Sequence, residues 1–136
     1  MKPFAVALCV IIDDYGRLLL THRTIGEFTH WELPGGHIEE EETAEYAAVR
    51  EAQEKLGVAI RLVKSLGKEL SEELDQTYSF DYFQAVISLG EPTTMNAGRS
   101  DDIEYFDYED LPSLALSDGL LMLLPKLVSG DLELDG

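Results

Sequence analysis

The chain has 136 residues, 45% of them apolar and 27% charged, with 27 acidic against 10 basic side chains and a single cysteine. Such a length supports one domain that removes about 68% of its unfolded surface from water, so its core needs neither a disulfide nor a structural zinc. A formal net charge of −17 excludes sequence-independent binding of nucleic acid through counterion release and disfavours an anionic membrane surface, so a phosphate-bearing ligand has to be brought in with a cation.

Phe4 to Ile12 is a continuous apolar run closed by Asp13-Asp14-Tyr15-Gly16, and Arg17 to Arg23 resumes with Leu18, Leu19 and Leu20. The two segments read as a β-hairpin. Asp13 and Asp14 stand where a signal peptide needs small residues, and no stretch approaches the roughly 20 apolar residues of a membrane span. With one cysteine, Cys9, read as a small buried thiol, a cytoplasmic location is expected.

Thr24 to His30 reads as a polar loop, and Trp31-Glu32-Leu33 as a short strand stopped by Pro34-Gly35-Gly36. From Glu42 or Thr43 to Leu56 the residues are good helix formers with a slim face of Ala44, Ala47, Ala48 and Ala52, and Gly57 is placed as the C-terminal cap. Val58 to Leu70 and Thr77 to Leu89 read as strands across the acidic connector Ser71 to Gln76. A loop over Gly90 to Asp102, a strand over Ile103 to Tyr108 and a turn over Glu109 to Leu114 follow. Ser117 to Val128 is expected to be a helix whose last turn Pro125 weakens, and 130–136 a frayed tail. Strands on both sides of a central helix predict an α/β fold, a mixed β-sheet covered by helices on two sides, as a single domain over 1–136.

The chemistry concentrates in Gly36-His37-Ile38-Glu39-Glu40-Glu41-Glu42 and, seven residues on, Arg50-Glu51-Ala52-Gln53-Glu54-Lys55-Leu56-Gly57-Val58. Glu51 and Glu54 lie one turn apart on one helix face, where two carboxylates reach the same ion, and hard oxygen ligands suit Mg²⁺ or Mn²⁺ better than zinc. Arg50 is spaced to pair with Glu42 or Glu54 and hold it in place. Glu39 to Glu41 read as a solvated acidic run at the positive helix start, and His37 has no assigned role. Arg23, Phe28 and His30 are placed to line a base pocket, although an exposed loop is the plainer reading. Tyr78, Phe80, Tyr82 and Phe83 read as strand packing.

This stretch resembles the signature of the Nudix hydrolase family, G-x5-E-x7-R-E-U-x-E-E-x-G-U with U apolar. Gly36, Glu42, Arg50, Glu51, Glu54 and Gly57 match, with Ala52 and Val58 at the U positions. The resemblance extends to Trp31-Glu32-Leu33-Pro34-Gly35-Gly36 before the box and to the aromatic strand after it. It implies a Nudix-like α/β/α sandwich and a metal-dependent hydrolase that cleaves the pyrophosphate bond of a small nucleoside diphosphate derivative: a nucleotide, nucleotide sugar or dinucleoside polyphosphate. It further implies Arg50, Glu51 and Glu54 as catalytic residues and Gly36, Glu51 and Glu54 as ligands of Mg²⁺ or Mn²⁺. Asp101 or Asp102, from the loop before the last strand, would be the distal ligand or base. Arg23, Phe28 and Lys55 are expected to bind substrate, while Gly35, Glu42 and Gly57 shape the box. A homodimer is compatible with the family.

One position departs from the signature, because Lys55 stands where the second glutamate of the pair belongs. An inward ammonium there would repel a metal ion by about 4 kcal/mol per charge pair at roughly 4 Å and an effective dielectric near 20. Three outcomes stay open. Lys55 swings outward to Glu51 while Glu51, Glu54 and the Gly35 or Gly36 carbonyl keep one ion; or it contacts a substrate phosphate itself; or turnover is lost and the fold serves as a nucleotide-binding or regulatory module.

Overall fold

The apolar run at the start of the chain becomes a central strand with both faces covered. In the computed structural model, which describes residues 2–72, 75–95 and 100–135, β1 (Phe4–Val10) lies between a short antiparallel edge strand and a long parallel neighbour. The edge strand is β4 (Gly35–His37); the parallel neighbour is β6 (Thr77–Leu89), itself paired with β5 (Ala59–Glu72). A second sheet, antiparallel, consists of β3 (Phe28–Glu32), β2 (Leu18–Ile25) and β7 (Ser100–Phe106). Alternation along β1 separates two cores. Ala7, Cys9 and Ile11 pack with the alanine face of α1 (Ala44–Leu56), whereas Leu8 and Val10 pack with Leu120, Leu123 and Leu127 of α2 (Asp118–Ser129). The mixed sheet with helices on two sides is therefore present. Cys9 is buried, and burial pushes its thiol up to about 12, which leaves it inert.

Several expectations are corrected. The first two strands pair only at the base of the turn: Asp13 N donates to Arg17 O, Ile12 bridges Leu18 and Leu19 N donates to Ile11 O, while β1 and β2 themselves enter different sheets. A run apolar on both faces is better buried in mid-sheet than on one side of a ribbon. The expected loop from Thr24 to His30 is the β2–β3 hairpin, reduced to a two-residue turn at Gly26-Glu27 with Ile25 opposite Phe28. Gly26 has φ +60°, the requirement at the first central position of a II′ turn. The strand through Trp31 ends at Glu32, before Pro34 as expected, and the glycines after Pro34 open a separate strand, β4, in the other sheet. Strand β7 begins at Ser100, so Asp101 and Asp102 lie on a strand and not in a loop. Residues 73–74 of the connector and 96–99 of the expected loop lie outside the described residues.

α1 follows the sequence closely. The Thr43 side chain accepts from Tyr46 N, and Gly57 ends the helix in the left-handed conformation. In α2 the helix runs through Pro125 to Ser129; the carbonyl four residues earlier belongs to Leu121, which is exposed and can be hydrated. The tail is anchored rather than frayed. The buried Gln84 donates to Asp135 O at 2.6 Å and accepts from Asp135 N at 2.9 Å, while Leu132 and Leu134 pack on the α2 core. No helix among the described residues is long and apolar enough to cross a membrane.

Candidate active site

The packing of α1 against β4 is set by two glycines. A Cβ on Gly35 would lie 2.0 Å from Ala7 O, and one on Gly36 would lie 2.4 Å from Glu51 Oε2. The bare backbone lets β4 sit close to β1 and lets the Glu51 carboxylate lie flat over the strand. Cys9 N donates to Pro34 O and Ile38 N to Ala5 O, so the Ala7–Gly36 pair between them is also of the hydrogen-bonded kind. The Gly36 carbonyl thus faces β1, while those of Gly35 and His37 face α1. Each outward carbonyl takes a cation from the helix: Lys55 Nζ donates to Gly35 O at 2.7 Å, and Arg50 Nη2 to His37 O at 3.0 Å. Of the Gly35 and Gly36 carbonyls, between which the sequence leaves the choice open, the alternation turns that of Gly35 toward the helix and that of Gly36 toward β1.

Arg50 holds the box together. Its Nε and Nη2 bond Glu42 at 2.5 and 2.7 Å, and its Nη1 bonds Glu51 Oε1 at 2.9 Å and Glu54 Oε2 at 3.1 Å. With the bond to His37 O, that makes five, as many as a guanidinium has N–H groups. The Arg50 hydrogen bond holds the Glu42 carboxyl down at about 2, and the same contact, joined by Glu51, raises the affinity of Arg50 for its proton. Glu51 is only 7% exposed, whereas the Glu54 side chain is half in solvent. Glu51 Oε2 lies 3.2 Å from Lys55 Nζ, but it receives no hydrogen bond, the ammonium being directed at Gly35. Lys55 points inward, so the outward swing is not the arrangement adopted.

A cavity of about 470 Å³ opens beside this cluster. Gly35, Gly36 and Lys55 form one end; Phe4, Val6, Tyr78, Phe80 and His37 form an aromatic wall; Arg23, His30 and Glu32 on the β2–β3 hairpin close a third side. His37 stacks on Phe4 with centroids 4.2 Å apart, and Phe4 meets Tyr78 edge-on at 5.7 Å. Ser117, Asp118 and Gly119 bring the start of α2 to the same space, fixed from behind by Tyr82 Oη donating to Gly119 O at 2.6 Å. Arg23 is paired with Glu32 through Nε at 2.7 Å and Nη2 at 3.3 Å.

The structure thus gathers Arg50, Glu51, Glu54, Lys55, Gly35, Gly36 and Glu42 around one spot, while Gly57 caps the helix and Arg23 faces the cavity. It does not bring in Phe28, which stands 79% exposed at the hairpin tip and is absent from the cavity wall. Asp101 and Asp102 do not line the cavity either. Asp101 binds His22 Nδ1 at 2.5 Å and Thr24 Oγ1 at 2.7 Å, contacts that lower its carboxyl, Thr24 foremost. Strand alternation puts His22 and Thr24 on the face opposite Arg23. Asp102 accepts from Ile103 N. Among the described residues, no three His, Cys, Asp or Glu side chains form a ready metal cluster. The sequence reading missed Phe4, Glu32 and Asp118; Tyr78 and Phe80 pack in the core as expected and also border the cavity. The signal is the parallel register Phe4–Tyr78 and Val6–Phe80, which no local pattern reveals.

A NUDIX domain model matches residues 1–125. An ADP-ribose pyrophosphatase of Methanocaldococcus jannaschii is 35% identical over 116 residues, 82% of this chain and 66% of that protein. An 8-oxo-dGTP diphosphatase of Haemophilus influenzae is 32% identical over 90 residues, 65% of this chain and 60% of that protein. These matches thus span about two thirds or less of the relatives' own length. The crystal structure of a MutT NUDIX hydrolase from Burkholderia pseudomallei superposes with a TM-score of 0.81 at 26% identity, covering 92% of this chain and 98% of that one.

Proposed function

The chain belongs to the NUDIX family, and from that premise we propose that it is a pyrophosphohydrolase acting on a small nucleoside diphosphate derivative in the cavity beside α1. The observation that carries this reading is a 470 Å³ cavity that brings an aromatic wall and the Lys55 ammonium into one space, with the Glu51 carboxylate adjoining it through Gly36 and Lys55, of a size and make-up suited to a nucleotide. A base stacks against Phe4, Tyr78 and Phe80; the phosphates reach Gly35, Lys55 and Glu51. In the reaction a water oxygen bonds to phosphorus as its proton passes to the surrounding solvent, the bridging P–O bond breaks, and the leaving phosphate carries away the electron pair.

The donors fit a hard divalent cation in type. Glu51 Oε2 is buried without a hydrogen bond, and Glu54 and the Gly35 carbonyl are the further oxygens that would hold Mg²⁺ or Mn²⁺. When bound, such an ion polarises the phosphate and lowers the pKa of water. The residues themselves do the rest. Arg50, with all five donors engaged, orients Glu51 and Glu54 and leaves the substrate to others, Lys55 carries the positive charge at the phosphate end of the cavity while Arg23 is paired with Glu32 on the hairpin side, and the apolar wall excludes water from the base.

The names of the relatives suggest the substrates to try. ADP-ribose, 8-oxo-dGTP, a nucleotide sugar and a dinucleoside polyphosphate are incubated with the protein and Mg²⁺, and products are followed by ³¹P NMR. Cleavage of at least one at its diphosphate linkage is expected. A second reading, a nucleotide-binding module without turnover, is favoured by the Lys55 ammonium 3.2 Å from Glu51. Binding of nucleotide with no cleavage of any substrate would establish that reading instead.

A further inference from the structure

We propose that the Lys55 ammonium is a built-in cation of the phosphate site, standing between the Gly35 carbonyl and Glu51 so that a nucleotide's diphosphate binds without a divalent metal. The inference rests on the nucleotide reading above and concerns how the same site is charged. Nζ lies 2.7 Å from Gly35 O and 3.2 Å from Glu51 Oε2, between two oxygens of the donor set that suits a metal ion. The side chain is a quarter exposed, and it lines the cavity.

A structural role alone does not account for this placement. A lysine in the last turn of a helix is favoured by the terminal carbonyls, yet Lys55 bonds a carbonyl twenty residues earlier, on β4. Nor does another cation serve the phosphates equally well at this end of the cavity. Arg50 makes five hydrogen bonds to Glu42, Glu51, Glu54 and His37, which uses every N–H it has. Arg23 belongs to the hairpin side and is neutralised by Glu32. The charges of Glu42, Glu51, Glu54, Arg50 and Lys55 sum to −1, within a chain whose net charge is −17. An anionic ligand there depends on a local positive group, and Lys55 is the one with an ammonium hydrogen to spare. The same ammonium opposes a divalent ion on Glu51 Oε2, so metal alone binds weakly and joins the site once a diphosphate supplies further oxygens.

Two measurements test this. Mn²⁺ alone is titrated by electron paramagnetic resonance against the wild type, Lys55→Met and Lys55→Gln. Both variants should bind it about thirtyfold more tightly, through removal of the repelling charge, and unchanged affinity in two folded variants overturns the proposal. Separately, α,β-methylene-ADP is titrated calorimetrically in EDTA. The wild type should bind, Lys55→Met should lose at least about tenfold in affinity, and Lys55→Arg should recover part of it. Wild-type binding that appears only on adding Mg²⁺ refutes the proposal even if no variant folds. Failure to bind the analogue with or without Mg²⁺ counts against the nucleotide reading and the phosphate role, whereas the Mn²⁺ titration reports on the cation's position independently.

Discussion

The two ends of the cavity are built on opposite principles. At the α1 end, Lys55 bridges to Gly35, and the charged groups behind it are locked by one another, Arg50 spanning Glu42, Glu51 and Glu54. At the aromatic end, Phe4, His37, Tyr78 and Phe80 meet by stacking and edge contacts without ion pairs among them. On the proposed function, the first arrangement fixes geometry at the reacting end. The second supplies area and shape, where tolerance of a base's position costs little. Substitutions at the ionic end should therefore damage stability and turnover, and those at the aromatic end should damage affinity alone.

The largest effect is expected from Arg50→Leu. It leaves the buried Glu51 without its guanidinium, costing about 2 to 3 kcal/mol in urea unfolding. It also removes an acid-dependent contribution. The carboxyl of Glu42 is held down at about 2 by Arg50, so its contribution to stability is full above the ordinary carboxylate range, near 4.5, and is lost as pH falls toward 2. Urea midpoints measured from pH 6 to pH 2 should fall less steeply in the variant than in the wild type. Equal slopes would mean the clamp is not what the acid dissolves.

Next, Glu51→Gln should reduce kcat by on the order of 10²-fold or more while leaving nucleotide affinity within a few-fold, since a charged oxygen at the reacting end is lost but its shape is kept. At the other end, Phe4→Ala should raise KM about fivefold to tenfold, in line with about 1 kcal/mol for a stacking contact, with kcat unchanged. A fall in kcat instead would dissolve the division between the two ends. The smallest effect belongs to Phe28→Ser at the exposed hairpin tip, expected to change stability by less than about 0.5 kcal/mol and KM not at all. A large KM increase there would show that the hairpin tip reaches the substrate.

The same division governs what could be read from the sequence. Glu42, Arg50, Glu51, Glu54, Thr43 and Gly57 are legible because a helix converts spacing into position: residues three, four and eight apart meet by its period alone. The aromatic wall is not legible, since it depends on β1 lying parallel to β6 some seventy residues away in the register Phe4–Tyr78. Asp101 shows the same limit. The sequence places it in a loop, but it lies in β7 at the irregularity opposite His22 and Arg23, where its oxygens bond His22 and Thr24. Lys55 lies between these cases. Its departure from the signature is visible in the sequence, but its inward turn follows from the hydrogen-bond alternation of β4, which leaves Gly35 O free for it.

A crystal structure of the protein soaked with α,β-methylene-ADP in EDTA tests the account most directly. The diphosphate should lie within hydrogen-bond distance of Lys55 Nζ, with the base against Phe4, Tyr78 and Phe80 and with Arg50 still bound to Glu42. An analogue found elsewhere on the surface, or in the cavity with its phosphates turned away from Lys55 toward Arg23, would contradict it.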